Sequence, residues 1–244
     1  MKQMVKTLFL GLLLLFGTSA AQAVTLAELF NGGSIVAGDK LFDNWTLIDY
    51  NSGDAERVFN AMNITVEAMN DGGLNPGPGL AFSASNNELT VTGDGTFAYV
   101  DLWFGFSVSV LDSLLRISDT SLELTQGVLS YIAEDAMNDL GFYIRETVGT
   151  APWMEDLGVK EVEFSILDNE LFKMLDDLAD FLPQREIWVT KNILVWASNE
   201  TDTAEMIGFN QRFSQTQTVI PEPSTIVLTL LGLAGLVVAR KRRP

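Results

Sequence analysis

The sequence has no cysteine and no histidine among its 244 residues. Those two absences remove cysteine nucleophiles, Cys/His zinc and haem sites, Ser-His-Asp triads and the usual general base near neutral pH. Stability must come from the core, because no disulfide is available. An enzyme built on this chain would have to work through carboxylates, Lys, Tyr or Ser/Lys pairs. The sequence is therefore read as non-enzymatic, with no cofactor and no metal ligand set. Positive charge is also scarce. Between 24 and 218 there are nine basic residues against 31 acidic ones, a net charge of −22. A surface that negative repels phosphate backbones, so nucleic acid is not the expected partner.

Long apolar runs are confined to the two ends. Residues 1–23 have the form of a secretory signal peptide, in which Lys2 and Lys6 precede the apolar run 7–17 and Ala21-Gln22-Ala23 provides a small-residue cleavage site. Signal peptidase is the partner this implies. At the other end, 226–239 is fourteen residues long with only Thr229 polar. As a helix it would reach about 21 Å, short of a hydrocarbon core of about 30 Å. Arg240, Lys241, Arg242 and Arg243 follow as a stop-transfer cluster that keeps the basic end cytoplasmic and the body outside. Upstream, Pro221-Glu222-Pro223 predicts an extended, accessible peptide, since both prolines fix φ and lack an N–H. The chain divides into a signal peptide at 1–23, an ectodomain at 24–218 and a tail at 219–244.

The tail resembles the PEP-CTERM sorting signal of Gram-negative bacteria, also labelled an ice-binding protein C-terminal domain. The matching features are Pro221-Glu222-Pro223, Ser224-Thr225, the run 226–239 and the basic cluster 240–243, in order and beside an N-terminal signal peptide. The resemblance implies transient anchoring in the inner membrane and recognition by an exosortase. It also implies tail removal and delivery to the cell surface or an extracellular polysaccharide matrix. At the edges of the body, GDKLFDNWTL (38–47) resembles the opening strand, and EMIGFNQRFSQT (205–216) the last strand, of many such proteins.

The body reads mainly as β. Short alternating segments at 39–47, 63–68, 80–84, 88–93, 97–110, 121–133, 141–148, 159–167, 186–197 and 205–216 are separated by turn residues. That spacing predicts an antiparallel, jelly-roll-like β-sandwich. In 39–47, Leu41, Trp45 and Leu47 are expected to face the core and Lys40 and Thr46 the solvent. One segment departs from the pattern. In 169–183, Leu171, Met174, Leu175, Leu178 and Phe181 recur at helical spacing, with Asn169 placed to cap and Pro183 to stop, predicting a short amphipathic helix on the sandwich.

The segment 97–110 alternates strictly. Ala98, Val100, Leu102, Phe104, Phe106, Val108 and Val110 make a core face, and Phe97, Tyr99, Asp101, Trp103, Gly105 and Ser107 make the other. The plainer expectation for the second face is another buried layer, as in a strand covered on both sides. Left open to solvent, Tyr99, Asp101 and Trp103 would form a glycan platform, with rings stacking on sugars and the carboxylate accepting from hydroxyls. Of five tryptophans, Trp153 lies in the loop-like stretch GTAPWMEDLG and joins these as a candidate contact, against the simpler expectation that it plugs the loop. The acidic loops 51–56 and 199–202 have oxygen donors but fit no calcium-binding pattern. The expected function is structural or adhesive, in the envelope or matrix. The alternatives are a lectin-like exopolysaccharide-binding module and a carboxylate-based glycoside hydrolase, which needs two acids facing each other across a cleft.

Overall fold

The computed structural model describes residues 23–70, 73–132 and 138–218. The signal-peptide run, the sorting motif Pro221-Glu222-Pro223 and the basic cluster Arg240, Lys241, Arg242 and Arg243 lie outside the described residues. No helix among the described residues is long and apolar enough to cross a membrane.

Among the described residues fifteen strands form two sheets in which every pairing is antiparallel. The first sheet contains β1 (Val24–Thr25), β4 (Ile64–Met69), β5 (Gly79–Ala84), β14 (Thr203–Arg212), β8 (Leu115–Ser130) and β12 (Asp176–Gln184), in that spatial order. Two short strands, β6 (Thr90–Thr92) and β15 (Gln215–Gln217), pair with β14 and β8. The second sheet runs β11 (Glu170–Met174), β10 (Gly158–Leu167), β9 (Leu140–Gly149), β13 (Glu186–Ala197), β7 (Ala98–Val110), β3 (Lys40–Ser52), β2 (Ile35–Ala37). The predicted antiparallel sandwich is the observed architecture.

The core lies between the sheets and is aromatic at its centre. Phe104 and Phe106 of β7 meet Trp45 of β3, whose ring lies 4.3 Å from that of Phe106. From the opposite sheet, Phe82 stacks on Phe209 at 4.4 Å and reaches Phe104 at 6.0 Å. The predicted inward face of β7 is fully buried from Val100 to Val108. Such rings each contribute a large apolar area, and edge-on and offset contacts add to it.

Two predicted patterns are corrected. In β3 it is Lys40, Phe42 and Trp45 that are buried, while Leu47 is exposed and Leu41 only half-buried. Asn44 adopts φ 56°, and the register against β7 shifts between Asp43 and Thr46. This bulge reverses which side chains face inward partway along the strand, so a single alternation cannot describe it.

The amphipathic helix predicted at 169–183 does not form, and its residues are β11 and β12 instead. Asp168 and Asn169 have φ 51° and 65°, and Leu167 pairs with Glu170. That is a two-residue hairpin turn of the kind that needs positive φ at both central positions. After Met174 the chain leaves one sheet and joins the edge of the other, where Asp176–Asp180 pair with β8. Both strands are sheet edges. Edges bury one side at most, so Leu171, Leu178 and Leu182 stay exposed while Ala179 is buried. Asp176, Asp177, Asp180 and Pro183 on this edge are charges and a missing donor that discourage pairing with another chain.

The one short α-helix among the described residues, Leu26–Phe30, was not foreseen. Thr25 and Glu28 close a capping box on it, and Leu26 and Leu29 are fully buried.

Charge enters the core as well. Lys40, Lys160 and Lys191, three of the four lysines of the body, have no solvent exposure. Lys40 bonds Asp39 at 2.7 Å and also Gln215. Lys160, Glu146 and Lys191 are register partners on β10, β9 and β13, and all three point between the sheets.

Candidate functional site

The outward face of the second sheet carries the aromatic residues. Alternation places Tyr99, Asp101, Trp103, Gly105 and Ser107 of β7 on this side, beside Trp196, Leu194, Asn192, Thr190 and Trp188 of β13 in register. Arg145 and Tyr143 of β9 continue the rows opposite Asn192 and Leu194. No helix among the described residues covers the face. Phe97 is exposed, and Tyr99, Asp101 and Trp103 are half-buried. The expectation of a second core layer holds only in part: Ser107, Asn192 and Trp196 are buried, while Tyr99, Asp101 and Trp103 shelter one another but keep their outer edges in solvent.

Polar groups on this face are held in place by one another. The Tyr143 hydroxyl donates to Asn192 Oδ1 at 2.9 Å, and Asn192 Nδ2 donates to Asp101. Partial burial pushes the Asp101 carboxyl up, opposed by hydrogen bonds from Asn192 and Trp103 and reinforced by the nearby charge of Asp49. Burial likewise raises the Tyr143 phenol, with Asp101 adding to it. Arg145 reaches Glu155 at 3.4 Å and Glu161 at 3.3 Å. A fixed fork of donors between two carboxylates leaves little freedom to either side chain.

The loop between β9 and β10 forms the wall. Thr150 binds Asp156 twice, through its N–H at 2.8 Å and its hydroxyl at 2.7 Å. At the loop's base a Cβ on Gly149 would lie 2.2 Å from the Met154 carbonyl oxygen, so the turn closes only with glycine there. Trp153 sits at the tip with φ 68° and 61% exposure. A bulky non-glycine residue in the left-handed region is strained, and an exposed indole gains no burial in return. The expectation that Trp153 plugs its loop is therefore overturned.

Trp153 stands between two adjoining cavities. One, of about 190 Å³, is lined by Trp103, Arg145, Thr147, Glu155 and Asn192. The other, of about 240 Å³, is lined by Asn44, Thr46, Pro152 and Trp188. Trp153 and Thr190 line both. The result is a groove with aromatic walls and convergent polar groups, the usual make-up of a small-ligand or oligomer site.

Of the four residues singled out from sequence, the structure brings Trp103 and Trp153 to one cavity, with Asp101 tied to its Asn192. Tyr99 lies farther along β7, lining a separate and larger cavity of about 550 Å³. The arginine of that cavity, Arg57, is committed to the carbonyls of Asn87, Glu88 and Thr90. Arg145, Thr190, Asn192 and Glu155 were missed. For Thr190 and Asn192 a signal was present: in EIWVTKNILVWA they alternate with the same period as Trp188 and Trp196. Among the described residues no group of three or more acidic side chains is gathered to hold a metal.

The chain carries a PEP-CTERM protein-sorting motif, matched over residues 219–243. That motif supports sorting by an exosortase, and with it export and membrane-anchored transit. None of the curated proteins matches the chain. Among solved structures, similarity is found to a carbohydrate-binding module in complex with β-1,4-galactotriose, at 11% identity over 72% of this chain and 89% of that one, with a TM-score of 0.23. A xylan-binding domain from Paenibacillus barcinonensis is 14% identical over 68% and 85%, with a TM-score of 0.21. A carbohydrate-binding module that recognises mannan is 9% identical over 79% and 96%, with a TM-score of 0.26. Superpositions this loose leave the groove to be judged on its own geometry.

Proposed function

We propose that the domain is an exported polysaccharide-binding module with an adhesive role at the cell surface or in the extracellular matrix. One observation carries this reading. Trp153 is held exposed, in a strained conformation, between two cavities whose other walls are Trp103 and Trp188. Indole faces stack on the C–H faces of sugar rings, while Thr190 and the Arg145–Glu155 pair line the cavity as partners for the hydroxyls. A body with net charge −22 repels polyanions, so the glycan it suits is neutral. In this reading the chain is first cleaved by signal peptidase after Ala23. The tail then holds it in the inner membrane until an exosortase removes it.

The groove is read as binding without turnover. Among the described residues Glu155 is the one carboxylate lining the two cavities, and it is engaged by Arg145. The test is a titration of the purified ectodomain with β-1,4-galactan, xylan and mannan, followed by tryptophan fluorescence and calorimetry. Saturable binding to one of them, lost in Trp153→Ala with folding intact, is the expected result. Saturation unaffected by that substitution, or no binding to any neutral glycan, defeats the proposal. New reducing ends released during the titration would assign a hydrolase instead.

A further inference from the structure

The charged centre inside the sandwich plays no part in the groove. Glu146 has no solvent exposure, and neither do Lys160, Lys191 and Gln211 around it. Glu146 Oε1 accepts from Lys160 Nζ and, at 2.7 Å, from Gln211 Nε2, while Oε2 accepts from Lys191 Nζ. Gln211 belongs to β14 of the first sheet; the other three belong to the second. Its amide nitrogen also lies 3.4 Å from the Thr120 hydroxyl, and its carbonyl oxygen is buried with no partner. Lys191 is further placed over the rings of Phe209 and Phe82, 5.1 and 5.8 Å from their centroids.

Two features stand out. Two ammonium groups share one carboxylate in a closed interior, leaving one positive charge in excess, which is an unfavourable arrangement for buried ions. And one carboxylate oxygen touches both an amine and a primary amide that reach it from opposite sheets. Stacked sheets lie about 10 Å apart, a gap the four methylenes of a lysine and the two of a glutamine span together.

We propose that Lys160 and Gln211 join in an intramolecular amide bond across the sandwich, formed within the fold with Glu146 as the proton carrier. The Lys160 ammonium gives a proton to Glu146. The neutral amine adds to Cδ of Gln211, and the C–Nε2 bond breaks. Glu146 and the attacking nitrogen supply the two protons, one of them the proton Glu146 has just taken up, so the nitrogen leaves as an ammonium ion, Glu146 returns to the carboxylate, and no oxidant or other reactant is consumed. Burial lowers the affinity of the Lys160 amine for its proton, opposed by the charge and hydrogen bond of Glu146 and by the charges of Asp177 and Asp119. That favours the nucleophilic form. Lys191 keeps its positive charge beside Glu146 while oxygen charge develops on the amide. The product removes the excess cation, leaving a single Lys191–Glu146 pair. In an exported chain without cysteine, the bond ties β10 to β14 as a disulfide otherwise would.

The experiment is mass spectrometry of the protein recovered from cells expressing the full chain, denatured and with its termini mapped. The expected intact mass is lower than that of the mapped chain by one ammonia. A digest then contains a branched peptide joining the Lys160 and Gln211 segments. Lys160→Arg keeps the charge, removes the nucleophile and restores the full mass; Glu146→Ala, where it folds, does the same. An unmodified mass with Lys160 free to acetylation after denaturation overturns the proposal. Loss of one water with a lysine joined to Glu146 overturns it too, since Glu146 would then be the partner and not the carrier.

Discussion

Glu146 and Lys191 are register partners on adjacent strands, both without solvent exposure, and their side chains meet between the sheets. Burial pushes the Lys191 amine down from the usual lysine value to about 8, against the upward pull of Glu146 and with the help of Lys160. An unfolded lysine holds its proton to about 10.5. Between these values the unfolded chain binds more protons than the folded one, so stability rises with pH across that interval. Burial also lowers Lys40, with the same sign. The opposite trend begins near pH 10, where Tyr50 and Tyr143, both raised by burial, remain protonated in the fold after the unfolded tyrosines ionise. The urea midpoint is expected to be higher at pH 9.5 than at pH 7.5, and Lys191→Met to flatten that difference.

Removing the carboxylate tests the same centre at constant volume. Burial alone would raise Glu146, yet Lys160 and Lys191 outweigh it and hold the carboxyl below its usual value. Glu146→Gln leaves both cations without a counter-charge. The expected loss is about 3–5 kcal/mol of unfolding free energy by urea titration. A loss under about 1 kcal/mol would show that the centre tolerates neutralisation, contrary to its reading as an ion cluster.

Trp153 offers a separation of stability from binding. With φ 68° and an exposed ring, it contributes strain and little burial. Trp153→Gly relieves a backbone penalty of about 1–3 kcal/mol and removes the stacking surface. The variant is expected to unfold at equal or higher urea concentration while its glycan affinity falls at least about tenfold, the equivalent of roughly 1.4 kcal/mol. A destabilised variant would mean that the indole supports its loop.

The aromatic centre is the opposite case. Phe104 is fully buried between Trp45, Phe82 and Phe30. Phe104→Ala opens a cavity that stiff neighbours cannot fill, at an expected cost of about 3–5 kcal/mol. Chemical denaturation of the two proteins at one pH measures it.

The hairpin at Asp168–Asn169 can be distinguished from a helix directly. Asn169→Gly suits a residue with φ 65° but removes the oxygen that accepts from the buried Asn138 N–H and side-chain amide, and is expected to cost about 1–3 kcal/mol. A capped helix would lose about 1 kcal/mol or less from the same change. Asn169→Val forces a β-branched residue into the left-handed region and is expected to cost about 1–3 kcal/mol.

What the sequence determined by itself was set by period and by composition. Strict alternation from Ala98 to Val110 specified a strand and its inward face, because a pleated chain turns successive side chains to opposite sides. The absence of cysteine and histidine, the acidic body and the sorting motif at 219–243 were equally legible, since each is a property of residues and not of their neighbours.

The tertiary structure decided what depends on a partner strand. Leu171 to Phe181 has helical spacing, yet two left-handed residues at its start and two open sheet edges made it β11 and β12. The bulge at Asn44 reversed the faces of β3. Whether the outer face of β7 was core or surface depended on what covered it, and no helix among the described residues does so. Lys160, Glu146, Lys191 and Gln211 come from four strands and two sheets; only pairing and stacking bring their charges to one point, because no local pattern records which strand lies beside which.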